Sequence, residues 1–342
     1  MTSSEKSSDA LVAAAVRRGK PTSPSDEGSS IAMGVTGRER GVAAEQRPDG
    51  PRIPEGPPRQ GEAAGGEGAL AERELVLRPR SGWAAVDWRE IWEYRELLYF
   101  LVWRDVKVRY KQTVLGVAWA VLQPVLAMTI YSVIFGRFAG LPSDGFPYPV
   151  YVYAGLLPWT FFANGVQQGG LSLVNQQHLM KKVYFPRLFV PSASVCGGLV
   201  DLAIAMGVYG VILAIYGVVP SGGVILLPLL VLLTLVSSLG FAYLLAALTV
   251  SYRDFRYVVP FMIQLLMFMS PVIYPVSIVP KSYQWILALN PMAGLIDGYR
   301  SAILGQAWNP VVLLVSAGSG ILLFVVGVFY FKRTERSFAD VI

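Results

Sequence analysis

Few residues of this 342-residue chain could do chemistry. One acid, Asp201, lies inside a long apolar run, "GGLVDLAIAMG". An ionisable group in such a run is costly in lipid and must face protein or water. It is therefore either a proton or ion site, or a packing acid that is protonated or hydrogen-bonded to a neighbouring helix. No cation stands near it within an apolar run, which favours packing. His178 is the chain's one histidine, and no Cys or carboxylate cluster accompanies it, so no metal site is expected. Cys196, the one cysteine, excludes an intrachain disulfide and reads as a buried thiol. No G-x-x-x-x-G-K-[ST] loop exists; the only Gly-Lys pair, Gly19-Lys20, is followed by Pro21. G-x-S-x-G and H-E-x-x-H are also missing. Between residues 112 and 331 the acids are Asp144, Asp201, Asp254 and Asp297, with no Glu. Hydrolysis or glycosyl transfer needs positioned carboxylates, so an enzyme is rejected and no cofactor is expected on this chain.

The elements that must position these residues are apolar. The composition is 54% hydrophobic and 15% charged, with mean hydropathy +0.48, values of an integral membrane protein. Only 12 of the charged residues lie between 112 and 331. The net charge of +6 thus reflects basic flanks of membrane spans and gives no reason to expect nucleic acid. A bilayer core of ~30 Å needs about 20 apolar residues as helix. Six spans are expected near 114–138, 150–173, 188–216, 224–250, 257–273 and 310–331.

Residues 1–73, rich in Gly, Ala, Ser, Pro, Glu and Arg, read as a disordered extension. Its start makes a poor signal peptide, because acids precede a very short apolar run closed by Arg17 and Arg18. Residues 74–113 form an interfacial segment. Within it, "VDWREIWEYRELLYFLVWRDVKVRYKQ" has capping-box spacing at Asp87 and Glu90, and places Trp88, Ile91, Trp92, Leu98, Tyr99 and Val102 at helical intervals. It reads either as an amphipathic helix in the headgroup region or as a helix packed on a soluble partner. Residues 114–331 hold the spans, and 332–342 a tail. Arg104, Lys107, Arg109, Lys111, Lys181, Lys182, Arg187, Arg253, Arg256, Lys332, Arg333 and Arg336 fall on one side. Arg137, Lys281 and Arg300 fall on the other. This bias predicts that both termini are cytoplasmic. The segment 270–303, interrupted by Pro271, Pro275, Pro280 and Pro291, then lies outside.

The stretches "LLYFLVWRDVKVRYKQTVLGVAWAVLQP", "YAGLLPWTFFAN", "KKVYFPRLFVP", "SYRDFRYVVPFMIQLLMFMSPVIYP" and "NPMAGLIDGYR" together resemble the permease subunit of ABC-2-type exporters of lipid-linked polysaccharide, such as O-antigen and teichoic acid transporters. The likeness runs from about residue 74 to the C-terminus. It implies an all-α polytopic membrane protein of the bacterial inner membrane, working as a homodimer with two copies of a separate ATPase that carries ATP and Mg²⁺. The loop 175–187 would be the coupling helix, with Gln177, His178, Lys181, Lys182, Tyr184, Phe185 and Arg187 facing the ATPase. Arg104, Lys107, Arg109 and Lys111 would meet a polyprenyl-diphosphate glycan, or else only anchor topology. Trp119, Tyr131, Trp159, Phe161 and Phe162 would line the glycan path, or else face lipid or form an interfacial belt. Re-entrant gate helices, within about 276–305, would run 280–289 and 291–304, hinged at Asn290-Pro291. Their gate residues would be Pro280, Tyr283, Trp285, Asn290, Pro291, Asp297 and Arg300, with Asp297 and Arg300 pairing inside the second helix. A simple amphipathic surface hairpin is the alternative there. An ion-coupled lipid or glycan flippase using Asp201, a drug or small-lipid permease, and a non-transporting scaffold are the competing functions.

Overall fold

Proline and asparagine set the helix starts. In the computed structural model Asn290 caps a helix by accepting from Met292 N at 3.0 Å, and Asn309 caps the next from Val312 N at 3.3 Å. Each is followed by a proline at the first helical position, where a fixed φ and a missing N–H cost nothing. The structure describes residues 92–111, 116–177, 185–335 and Phe338, all within the compact unit Leu75–Ile342. The expectations for the extension, for the start of the interfacial helix at Asp87, and for His178, Lys181, Lys182 and Tyr184 lie outside the described residues.

Every regular element among the described residues is helical. The order is α1 (Arg95–Lys111), α2 (Gly116–Tyr131, continued by a π-helical segment Ser132–Phe138), α3 (Tyr148–Asn175) and α4 (Phe189–Ile215). A 3₁₀ turn at Gly222–Leu226 leads into α5 (Leu227–Ser251), and then come α6 (Phe255–Met269), α7 (Gln284–Ala288), α8 (Pro291–Leu304) and α9 (Pro310–Thr334).

Ala118–Phe138, α4, Gly222–Ser251 and α9 are the described helices long and apolar enough to cross a membrane. The other two expected spans differ in kind. At 28 residues α3 is long enough, but it carries Asn164, Gln167, Gln168 and Asn175. The 15 residues of α6 cover roughly 22 Å, short of a ~30 Å core, because the chain turns at Ser270 ahead of Pro271.

The polar α3 is the centre of the fold. From Val150 to Leu157 every residue is buried, against α4 on one side and α5 on another. Tyr153 and Tyr209 stack with centroids 5.2 Å apart. Each hydroxyl bonds the opposite backbone, Tyr153 to Ala205 O and Tyr209 to Val150 O. Helices α5 and α9 approach more closely still. A Cβ on Gly240 would stand 2.6 Å from Phe324 N, so backbone meets backbone. In lipid, where apolar area gives helices no reason to associate, such small-residue contacts supply the packing energy. The outward faces of α2, α6 and α9 keep large apolar side chains exposed, as a lipid-facing surface requires.

Candidate functional site

Helix α1 docks alongside the first half of α4, pointing the same way. Leu101 is buried in a cluster with Leu188, Phe189 and Ala193. One turn on, Val106 faces Gly197, where a Cβ would find Val106 Cγ2 at 3.8 Å. A further turn brings Arg109 and Tyr110 to Asp201. Arg109 Nη1 pairs with Asp201 Oδ2, and the Tyr110 hydroxyl donates to Oδ1. Arg109 Nη2 also donates to Gln168 Oε1. Burial, reinforced by the bond to Asp201, pushes the Tyr110 phenol up from its ordinary value, so its proton stays available for donation. As expected, no cation of an apolar run reaches Asp201 among the described residues, and the acid is bonded to a neighbouring helix. A residue 92 positions earlier supplies the cation.

Beside this cluster opens a cleft of ≈ 620 Å³ between α1, α2, α3 and α4. Trp119, Trp159 and Phe161 line it, together with Gln123, Asn164, Gln168, Arg109, Tyr110 and Asp201. Three of the five expected path aromatics therefore converge. Phe162 does not join them. It is fully buried, edge-on to Phe241 at 5.3 Å, and supports the wall from behind. Tyr131 packs on Phe135 and points its hydroxyl at Met267 Sδ, away from the cleft. A second hollow, ≈ 440 Å³, shares Gln168 and extends along α3 to Asn175. The carboxamides of Asn164 and Gln168 escaped the sequence reading, although they lie one turn apart on one helical face and so carried a periodic signal.

The four basic residues before the first span separate. Arg104 is spent on Asp105 at 2.7 Å and on Gln176 Oε1 at 2.7 Å, while Lys107 and Lys111 are exposed. The described part of α1 does not divide into an apolar and a charged face. Tyr99, Phe100, Trp103 and Val108 are all exposed on it.

At the other end, α7 and α8 meet at Asn290-Pro291, and α7 is shorter than the expected 280–289. Pro280, Tyr283 and Trp285 are exposed, whereas α8 from Pro291 to Leu304 is almost wholly buried. The Asn290 amide ties the hinge to Ser270 Oγ at 2.8 Å. The expected Asp297–Arg300 pair is corrected: no ion pair joins them among the described residues. Arg300 is fully buried and donates to the carbonyls of Pro271 (2.7 Å), Val272 (2.6 Å), Tyr274 (3.3 Å) and Tyr151 (3.4 Å). Its guanidinium also lies 3.8 Å from the Tyr151 ring centroid. A helix-period rule puts residues three apart on one face, but here the turn after α6 offers orphan carbonyls that outbid the carboxylate. Gly155 makes room for it, since a Cβ there would stand 2.7 Å from Arg300 Nη2.

Residues 96–304, more than half of the chain, match the family model described as ABC-2 type transporter. The chain belongs to the ABC-2 type transporter family. It is similar to the O-antigen export system permease protein RfbA of Myxococcus xanthus, 32% identical over 252 residues, covering 72% of this chain and 96% of that protein. It is also similar to RfbA of Klebsiella pneumoniae, 29% identical over 248 residues, 72% and 95% covered. The polysialic acid transport protein KpsM of Escherichia coli is 22% identical over 241 residues, 68% and 92% covered.

Of the segment assigned to ATPase coupling in this ABC-2 protein, Gln177, Phe185 and Arg187 are described. Gln177 is half-buried at the end of α3. Phe185 is buried in the cluster that holds Leu101, Tyr243 and Phe331. Arg187 donates to Glu335 O at 2.7 Å and lies 6.0 Å from the Phe338 ring centroid. Two of the expected coupling residues thus fasten the start of α4 to the end of α9.

Proposed function

We propose that this chain is the permease subunit of an ATP-driven exporter of lipid-linked polysaccharide in the bacterial inner membrane. The observation that carries the reading is the cleft. The exposed ring of Trp119 and the largely buried Trp159 line it together with the carboxamides of Gln123, Asn164 and Gln168. Aromatic rings hold sugar faces through apolar contact without fixed charge, and carboxamides exchange hydrogen bonds with hydroxyls. Many weak contacts of this kind let a long glycan slide. Exposed carboxamides on a helix at the centre of a membrane fold also need water or substrate as partners. Relatives that cover nearly their whole length and are named for O-antigen export and polysialic acid transport support the substrate class.

In this reading α2, α3, α4, α5, α6 and α9 are the six spans, and both termini are cytoplasmic. Helix α6 is completed by the turn that Arg300 secures. Helices α7 and α8 enter from the outer face as the gate. Two copies form the path, and two ATPase subunits bind the loop after α3 and supply ATP hydrolysis with Mg²⁺. The chain itself binds no nucleotide.

The test is co-purification of the full chain with an ATPase subunit, then reconstitution with lipid-linked glycan in vesicles. A stable complex and ATP-dependent translocation are expected; no complex, or export that ignores ATP, refutes the proposal. The ion-coupled flippase instead requires Asp201→Asn to abolish transport and remove its response to a proton gradient.

A further inference from the structure

Arg109 and Asp201 meet where α1, α3 and α4 border the cleft, and both side chains are 27% exposed. The pair is reachable from the water of the cleft and is not sealed in the core. Ion pairs this open are weak, about 0–1 kcal/mol. A phosphate or diphosphate offers the guanidinium fork a bidentate partner with more charge and more acceptor oxygens. For one and the same fork, the carboxylate is the weaker anion. Asp201 would not be stranded by losing it, because the Tyr110 hydroxyl still donates to Oδ1. Exposed Lys107 and Lys111 on the same helix add positive potential along the approach. Arg104 is engaged by Asp105 and Gln176.

We propose that Asp201 is an exchangeable stand-in for the anionic head of the substrate: a phosphate or diphosphate ester entering the cleft takes Arg109 from Asp201, while Tyr110 keeps the C-terminal end of α1 on α4. This rests on the exporter reading and names the residue that decides when the anion site is open. Asp201 acts as a selectivity element. A neutral lipid or sugar cannot displace it, so apolar passengers leave the Arg109–Asp201 pair closed. An anion of higher charge displaces it and is then held by α1, the helix that precedes the first span. No covalent bond changes; one ion pair is exchanged for another.

The test uses the purified full-length chain in detergent, titrated with geranylgeranyl diphosphate and followed by isothermal titration calorimetry. Asp201→Asn is expected to bind up to about fivefold more tightly than wild type, because an internal competitor worth at most about 1 kcal/mol is gone. Arg109→Gln is expected to lose binding, and adding Asp201→Asn to it to restore nothing. Tyr110→Phe supplies a second variant: exchange would leave Asp201 unpaired, so binding weakens severalfold. A merely structural role would weaken all three variants alike. Geranylgeraniol, the uncharged analogue, should bind equally to wild type and Asp201→Asn. Inorganic pyrophosphate should compete, and more strongly in Asp201→Asn. If it does not compete, the lipid tail is being read and the proposal fails.

If Arg109→Gln abolishes binding while Asp201→Asn leaves it unchanged or weaker, the exchange is wrong and the exporter reading stands. If no variant binds the diphosphate, both fall.

Discussion

Replacing Arg300 by methionine keeps the apolar stem and removes the guanidinium. Four carbonyls lose their donor: Pro271 and Val272, bonded at 2.7 and 2.6 Å, and the more distant Tyr274 and Tyr151. A buried acceptor left unpaired costs about 1–3 kcal/mol, and the two short, charge-assisted bonds stand at the upper end. Against this, the variant no longer buries a cation that has no carboxylate partner among the described residues, which returns part of a desolvation cost of several kcal/mol. Two unpaired acceptors at about 1–3 kcal/mol each, less the desolvation returned, leave a net loss of about 2–4 kcal/mol. At about 2–4 °C per kcal/mol for a domain of this size, the melting temperature should fall by roughly 4–16 °C. The assay is loss of the monodisperse peak on size exclusion after heating the full chain in detergent. Arg300→Lys keeps the charge but not the planar fork, so it should fall between wild type and methionine. The reasoning is refuted if Arg300→Met melts within about 2 °C of wild type, for then the turn after α6 holds itself.

Gly240→Val should prevent α5 and α9 from closing, because its Cβ would lie 2.6 Å from Phe324 N, whereas Gly318→Ala, with nothing within 4 Å, should behave as wild type in the same heating assay. Phe185→Ala should destabilise the isolated chain by about 3–5 kcal/mol, since Phe185 is 6% exposed. Unchanged stability together with lost ATPase binding would make it a partner contact instead. Trp119, 55% exposed, and Trp159, 4% exposed, should separate in their effects. Trp119→Ala is expected to lower glycan translocation in vesicles without lowering the melting temperature, and Trp159→Ala to lower both.

The helices were legible because their signals are local. A Pro at the first helical position and an Asn before it start α8 and α9, and a long apolar run carries α9 on, without reference to anything distant. The converging aromatics Trp119 and Trp159 were legible for a similar reason, since large rings in otherwise aliphatic runs invite a role. Partnerships were not legible. Asp297 and Arg300 have the right spacing to pair along a helix, yet the carbonyls of the turn after α6 take the guanidinium. Asp201 looked solitary because its cation lies on a helix before the first span. The misread pair and the unnamed partner have one physical cause. In an apolar fold each charge must find whatever polar group the packing brings within reach, and close approach is decided by small residues such as Gly155, which lets the Arg300 guanidinium in. The charges of such a chain are therefore best read together with the glycines opposite them. Arg300 opposite Gly155 closes the outer turn, while Val106 opposite Gly197 sets the register that delivers Arg109 to Asp201. If that register is what matters, widening it with Gly197→Leu should weaken the α1–α4 ion pair without touching either charge. The distance between spin labels at the exposed positions Trp103 and Val200 should then lengthen in the absence of any anion, and an unchanged distance would show that the ion pair, and not the packing, sets the contact.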